Sequence, residues 1–178
     1  MGRRAVWLAA SLAAALALAS PVSAEDKASP AAKASAVLKD ASGKEVGRAT
    51  FTATPSGALL SLVLTAAPPG VHALHVHAIG KCVPPDFKSA GPDFNPDQTK
   101  HGFMVPEGPH AGDLPNLHVP ADGKLEVEFV NPVVTISQEA ALLDADGSSI
   151  VIHANADDYK TDPDGDVGPG IACGVITP

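Results

Sequence analysis

An all-β fold is predicted from this sequence: an eight-stranded Greek-key β-barrel or sandwich carrying two long loops. Two observations point there. The readable segments are short, β-type and separated by turn residues, and two stretches are too long to be simple connections. Segments 34–39, 48–53, 58–65 and 71–78 come in quick succession, broken by DASGKE, TPSG and AAPPG, all suited to tight connections. From 79 to 113 the periodicity stops and Pro and Gly accumulate. Strand patterns return at 114–119, 124–130, 149–153 and 171–177, with the second long loop at 154–170. ISQEAALL at 136–143 suits a short helix.

The start of the chain stands apart from this pattern. MGRR is basic, AVWLAASLAAALALA is apolar, and SPVSA ends in small residues. That order predicts a secretory signal over 1–24 with cleavage after Ala24, because a membrane anchor needs roughly 20 continuous apolar residues. The expected location is periplasmic or secreted. Residues 25–33 (EDKASPAAK) are polar and rich in Ala, predicting a flexible lead-in to one domain over 34–178. Without Arg3 and Arg4, 10 of the 12 basic residues face 20 acidic ones, a formal charge of −10. Such a balance argues against nucleic acid or an anionic membrane as partner.

Cys82 and Cys173 are the only cysteines. In an exported chain, two cysteines far apart suit a disulfide, and closing a loop of about 90 residues contributes about 4–5 kcal/mol by chain-entropy reasoning. Free thiols or thiolate ligands are the alternative, without any CxxC spacing to support them.

The chemistry-bearing residues are the histidines. In LHVHAIGKC, His75 and His77 share one face of a strand while Leu74 and Val76 share the other. Two imidazoles held side by side suit a metal, or else are solvent-facing at a strand end. In IVIHANADD, Val151 and His153 lie on one face, Ile150 and Ile152 on the other. His101, His110 and Asp113 fall in the first long loop, and HAGD can close around one ion. Imidazoles gathered from two strands suit copper, and a His/His/Asp set suits zinc.

These stretches resemble the copper/zinc superoxide dismutases, in particular their periplasmic bacterial branch. GVHALHVHAIGKC, DFKSAGPDFNP, KHG, HAGDLPNL, IVIHANADDY and IACGVI stand in the family's order and spacing over nearly all of 34–177. The resemblance implies a metal site outside the barrel, under the two loops. It implies copper on His75, His77 and His153, which are also the catalytic residues, and zinc on His101, His110 and Asp113. It further implies a Cys82–Cys173 bond, Asp157 as the carboxylate linking His75 to His101, and His72 as a structural histidine. The implied substrate is the superoxide anion, dismutated to oxygen and hydrogen peroxide by Cu(II)/Cu(I) cycling, in a monomer or homodimer.

Two positions depart from the family pattern. In GPDFNP, Asp93 stands where the family has the histidine that bridges the metals, and in VGPGIACG, Gly170 stands where it has an arginine beside the copper. Asp93 is expected as the fourth zinc ligand, without an imidazolate bridge, and a carboxylate with an ordinary pKa near 4 carries protons poorly at neutral pH. Losing the arginine removes about 1.5–3 kcal/mol of charged hydrogen bonding to an anion, about one to two orders in rate. Lys81, Lys88 or Lys160 could compensate locally, although surface lysines are ordinarily just solvated. The expectation is therefore a slowed superoxide dismutase, with a copper- and zinc-binding buffer, carrier or sensor on the same fold as the alternative. DPDGDVG (162–168) lacks the glycine and glutamate of a calcium loop and reads as a solvated turn, and His118 as exposed. Neither a hydrolase triad nor a phosphate loop is present.

Overall fold

A computed structural model describes residues 32–136 and 141–178, together with Gly2. Eight strands form one antiparallel sheet: β1 (Lys33–Asp40), β2 (Glu45–Thr54), β3 (Gly57–Leu64), β4 (Gly70–His77), β5 (Asp113–Val119), β6 (Leu125–Asn131), β7 (Ser149–His153) and β8 (Gly170–Val175). Their order across the sheet is β5-β4-β7-β8-β1-β2-β3-β6. The terminal strands β5 and β6 approach each other without a ladder, so the sheet curls into a nearly closed barrel. The expected all-β architecture is the one found. The predicted strands match closely, with β2 beginning three residues earlier than its pattern suggested.

The barrel interior follows from alternation. Ala34, Ala36 and Leu38 of β1, Ala49 and Phe51 of β2, and Leu60, Leu62 and Leu64 of β3 point inward and are buried, with more exposed neighbours between them. Strands β4 and β7 break this rule. Every residue from His72 to His77, and all five of β7, are buried. Their inner faces (Leu74, Val76, Ile150, Ile152) join the core, and their outer faces lie under the two long loops. The central part of the predicted helix, 137–140, lies outside the described residues, and its flanks Thr135 and Ala141 form an isolated parallel bridge. The one helix described is a 3-10 turn at Lys88–Ala90 in the first long loop.

Two fastenings hold that loop on the outer face. Cys82 is bonded to Cys173 of β8, with Phe87, Ala90 and Val151 packed around the bond. Further along, the loop runs back beside β4: Phe94 N–H donates to Val76 O at 2.8 Å, Ala78 N–H to Pro92 O at 2.9 Å, and His77 bridges Asp93. Asp93 is thereby delivered next to the paired histidines of β4.

Candidate metal centre

The site begins with β4 and β7, whose register places His75 opposite Val151 and His77 opposite Ser149, with His153 at the end of β7. His75, His77 and His153 each offer a ring nitrogen, all within 4.8 Å of one another. Backbone carbonyls orient two of the rings. His77 Nδ1–H donates to Gly91 O at 2.8 Å and His153 Nδ1–H to Gly168 O at 3.1 Å. Each ring then presents an unprotonated Nε2, and the two Nε2 atoms face each other at 3.1 Å. Two lone pairs at that distance repel unless a cation lies between them. His72, on the opposite face of β4, sits with Nδ1 2.9 Å from His153 O and Nε2 3.0 Å from Pro68 O, steadying the backbone of His153.

Beside the trio lies a carboxylate-rich set. His101 Nδ1 is 3.1 Å from Asp113 Oδ1 and 3.4 Å from Asp93 Oδ2, and His110 Nδ1 is 3.5 Å from each of those oxygens. Asp113 is held by its other oxygen, which accepts the N–H of Gly102 and of His110. His75, Asp93, His101 and Asp113 also bring donor atoms within 4.8 Å of one another, so the two sets are contiguous. Asp157 ties them from behind. It accepts from His75 Nε2 at 3.0 Å and from His101 Nε2 at 3.0 Å, fixing both rings with Nδ1 toward the centre.

Whether ions suit these residues is answered by what they lack. Among the described residues, His75 Nδ1, Asp93 Oδ2, His101 Nδ1, His110 Nδ1 and Asp113 Oδ1 are fully buried without a hydrogen-bond partner. Leaving such atoms unsatisfied costs about 1–3 kcal/mol each. A tetrahedral ion with bonds of about 2.0–2.1 Å holds its ligands about 3.3–3.4 Å apart, close to the spacings between these donors. The donor types and the converging lone pairs fit a metal in each set.

Electrostatics separates the two sides. Burial and the neighbouring charges of His77 and His75 push His153 down to about 4, and burial also lowers His77. For His75, burial is outweighed by the hydrogen bond to Asp157 and the nearby carboxylate of Asp93, which push it up to about 9. For His101, burial is likewise overcome by Asp113, Asp157 and Asp93, and its pKa rises to about 12. Burial would raise Asp93 and Asp157, yet their imidazole partners hold both carboxyls well below the usual range. The carboxylates beside His75 and His101 thus favour positive charge on that side of the centre.

A cleft of about 440 Å³ leads to His77 and His153. Asp86, Asp164 and Asp166 line it, and its one basic residue, Lys88, is exposed and paired with Asp86 at 2.9 Å. Lys81 and Lys160 do not line it. Of the three lysines, Lys88 alone reaches the cleft, where Asp86 offsets its charge. Gly170 forms part of the wall, where an added Cβ would meet Val151 Cγ1 at 3.0 Å and Asp86 O at 3.1 Å. A second cleft, about 630 Å³, reaches Asp93 and His110 between Asp144, Asp146 and Asp162.

Several supporting residues escaped sequence reasoning. Asn116 braces the backbone of Asp157, accepting its N–H at Oδ1 and donating from Nδ2 to its carbonyl, and donates its own backbone N–H to Tyr159 Oη. Both residues lay within the quoted motifs. The 162–168 stretch does more than turn: Asp164 and Asp166 are exposed as expected, but Asp162 Oδ1 accepts from His101 N–H. Gly165, at φ 76°, passes so close to Asp157 that a Cβ would collide with its Oδ1. His118 is exposed, as read.

Comparison with known proteins agrees with this arrangement. The sequence model of copper/zinc superoxide dismutase (SODC) matches residues 45–176. The Cu-Zn superoxide dismutase of Caulobacter vibrioides is 48% identical over 147 residues, covering 80% of this chain and 84% of that protein. Cu-Zn superoxide dismutase 1 of Aquifex aeolicus is 45% identical, covering 81% and 87%. The crystal structure of a SOD-like protein from Bacillus subtilis superposes with a TM-score of 0.75 at 41% identity, covering 79% of this chain and 95% of that one. With the barrel, the disulfide and the converging histidines already in view, these matches place the chain in the copper/zinc superoxide dismutase family.

Proposed function

We propose that this protein is an exported superoxide dismutase working below the family's usual rate. His75, His77 and His153 would hold copper, and Asp93, His101, His110 and Asp113 would hold zinc. Copper supplies electron exchange through its two oxidation states, by which two superoxide anions and two protons become oxygen and hydrogen peroxide. The observation that carries the reading is the set of three imidazoles from β4 and β7, oriented by Gly91 O, Gly168 O and Asp157 so that their free nitrogens converge.

The residues also account for a reduced rate. Asp93, held ionised by its imidazole neighbours, keeps no proton to hand on at neutral pH, so protons must arrive through the cleft from water. The cleft bears three carboxylates and one already paired lysine, which disfavours approach of an anion. Those two features also favour a second reading, a copper- and zinc-binding protein with little turnover. Metal analysis and a superoxide assay on one purified sample separate them. One copper and one zinc per chain with measurable turnover, well short of the diffusion limit, supports the enzyme. Full loading without turnover establishes the binding protein, and turnover near the diffusion limit removes the case for impairment. Mass spectrometry of the exported product, expected to begin at Glu25, tests the signal.

A further inference from the structure

We infer that Asp93 is a two-sided ligand, its Oδ1 completing the three-imidazole set and its Oδ2 completing the carboxylate-rich set, so that one carboxylate joins both metals. This rests on the metal-binding reading above and goes beyond Asp93 as a zinc ligand alone. Oδ1 lies 3.4 Å from His75 Nδ1 and 3.5 Å from His77 Nε2. Oδ2 lies 3.4 Å from His101 Nδ1 and 3.5 Å from His110 Nδ1. Oδ1 thus stands at about the edge length of a tetrahedral coordination shell from two donors of the three-imidazole set, and Oδ2 at that length from two donors of the carboxylate-rich set.

Asp113 shows what a one-sided ligand looks like in this fold. It turns Oδ1 toward the centre and settles Oδ2 on the N–H groups of Gly102 and His110. Asp93 has no such anchor. Among the described residues its ion-pair contacts are all to imidazoles and Oδ2 has no hydrogen-bond partner, and its side chain is 2% exposed. Its position is fixed through the backbone instead, by the bridge to His77 and the bond from Phe94 N–H to Val76 O. A carboxylate, like an imidazolate, carries two donor atoms separated by one carbon, so it can span the same two sites. Three nitrogens and one oxygen also suit Cu(II).

The test uses full-length mature protein labelled with ¹³C at its aspartate carboxyls and loaded with Cu(II) and Zn(II), with pulsed electron–nuclear double resonance read at the copper. The expected result is a resolved ¹³C coupling from a directly bound carboxylate, lost in Asp93→His, which keeps Asp157 and the remaining ligands. No coupling in the parent with both metals bound overturns the bridge, and so does a coupling that survives Asp93→His. Metal analysis of the same samples separates this from the broader reading. Failure to take up copper and zinc together overturns the two-site assignment as well as the bridge, whereas full loading without the coupling overturns the bridge alone.

Discussion

The two sides of the centre use the same ring in opposite ways. His77 and His153 lean on backbone carbonyls, Gly91 O and Gly168 O, while His101 leans on Asp157 and faces Asp113 and Asp93. A carbonyl fixes an imidazole's tautomer without a full charge, so burial prevails and the ring stays neutral. A carboxylate fixes the tautomer and also favours a cation, so the ring keeps a proton until a metal displaces it. His75 belongs to both, sharing Asp157 with His101 and its donor space with His77 and His153. The partner behind each ring therefore decides whether that side waits as a base or as an acid.

Asp157 is the point at which both sides can be broken together. Asp157→Ala is expected to lower affinity for zinc and for copper by about 10- to 100-fold each, because it frees the tautomers of His75 and His101 at once. Chelator-competition titrations read this. A loss confined to one metal would mean the sides are not joined through this carboxylate. Gly165→Ala should act in the same direction, by pushing a methyl against Asp157.

Turnover sharpens the contrast next. Asp93→His is expected to raise superoxide turnover of the metal-loaded protein about tenfold, by restoring a group that exchanges protons near neutral pH. Gly170→Arg is expected to raise the second-order rate by a similar factor, through the charge it places at the cleft. That gain comes with a loss of about 1–3 kcal/mol in stability, since its Cβ crowds Val151 and the Asp86 carbonyl. Steady-state kinetics and urea melts separate the two effects. A double variant no faster than either single one would show that the steps are not independent.

Metal-free protein should show the divided titration directly. His153, pushed down to about 4 from an ordinary 6.5, contributes stability above pH 6.5 that is lost as pH falls from 6.5 toward 4, where the unfolded chain protonates first. His101, pushed up to about 12, contributes stability below pH 6.5 that is lost as pH rises toward 12. In proton NMR titrations, the His153 ring should stay neutral across pH 5–8 and the His101 ring charged over the same range. If both titrate near 6.5, the assignment of carbonyl and carboxylate roles is wrong.

The smallest expected effect concerns ionic strength. With Asp86, Asp164 and Asp166 at the cleft, added salt should raise the superoxide rate slightly, by about twofold or less, by screening repulsion of the anion. Asp164→Asn should raise the low-salt rate and flatten this dependence. A rate that falls with salt would point to a positive path the cleft lining does not reveal.

Much of this was legible in the chain itself. Alternation at 34–39 and 58–65 specifies half-buried strands because inward and outward environments differ at every second residue, and that signal is local. His75 and His77 on one face follow from the same period. The quoted motifs contained the residues whose donor atoms converge, and the lone pair of cysteines anticipated the bond now seen between Cys82 and Cys173. Tertiary structure alone decided what those residues do to one another. The two oxygens of Asp93 point at different donor sets because the loop returns along β4, a pairing between segments about 15 residues apart that no period encodes. Asp162 and Gly165 looked like a solvated turn because their partners, His101 and Asp157, arrive from elsewhere in the chain. Strand faces are set by each residue's immediate neighbours, whereas the direction of a lone pair and the charge beside it are set only once distant loops have closed over the barrel.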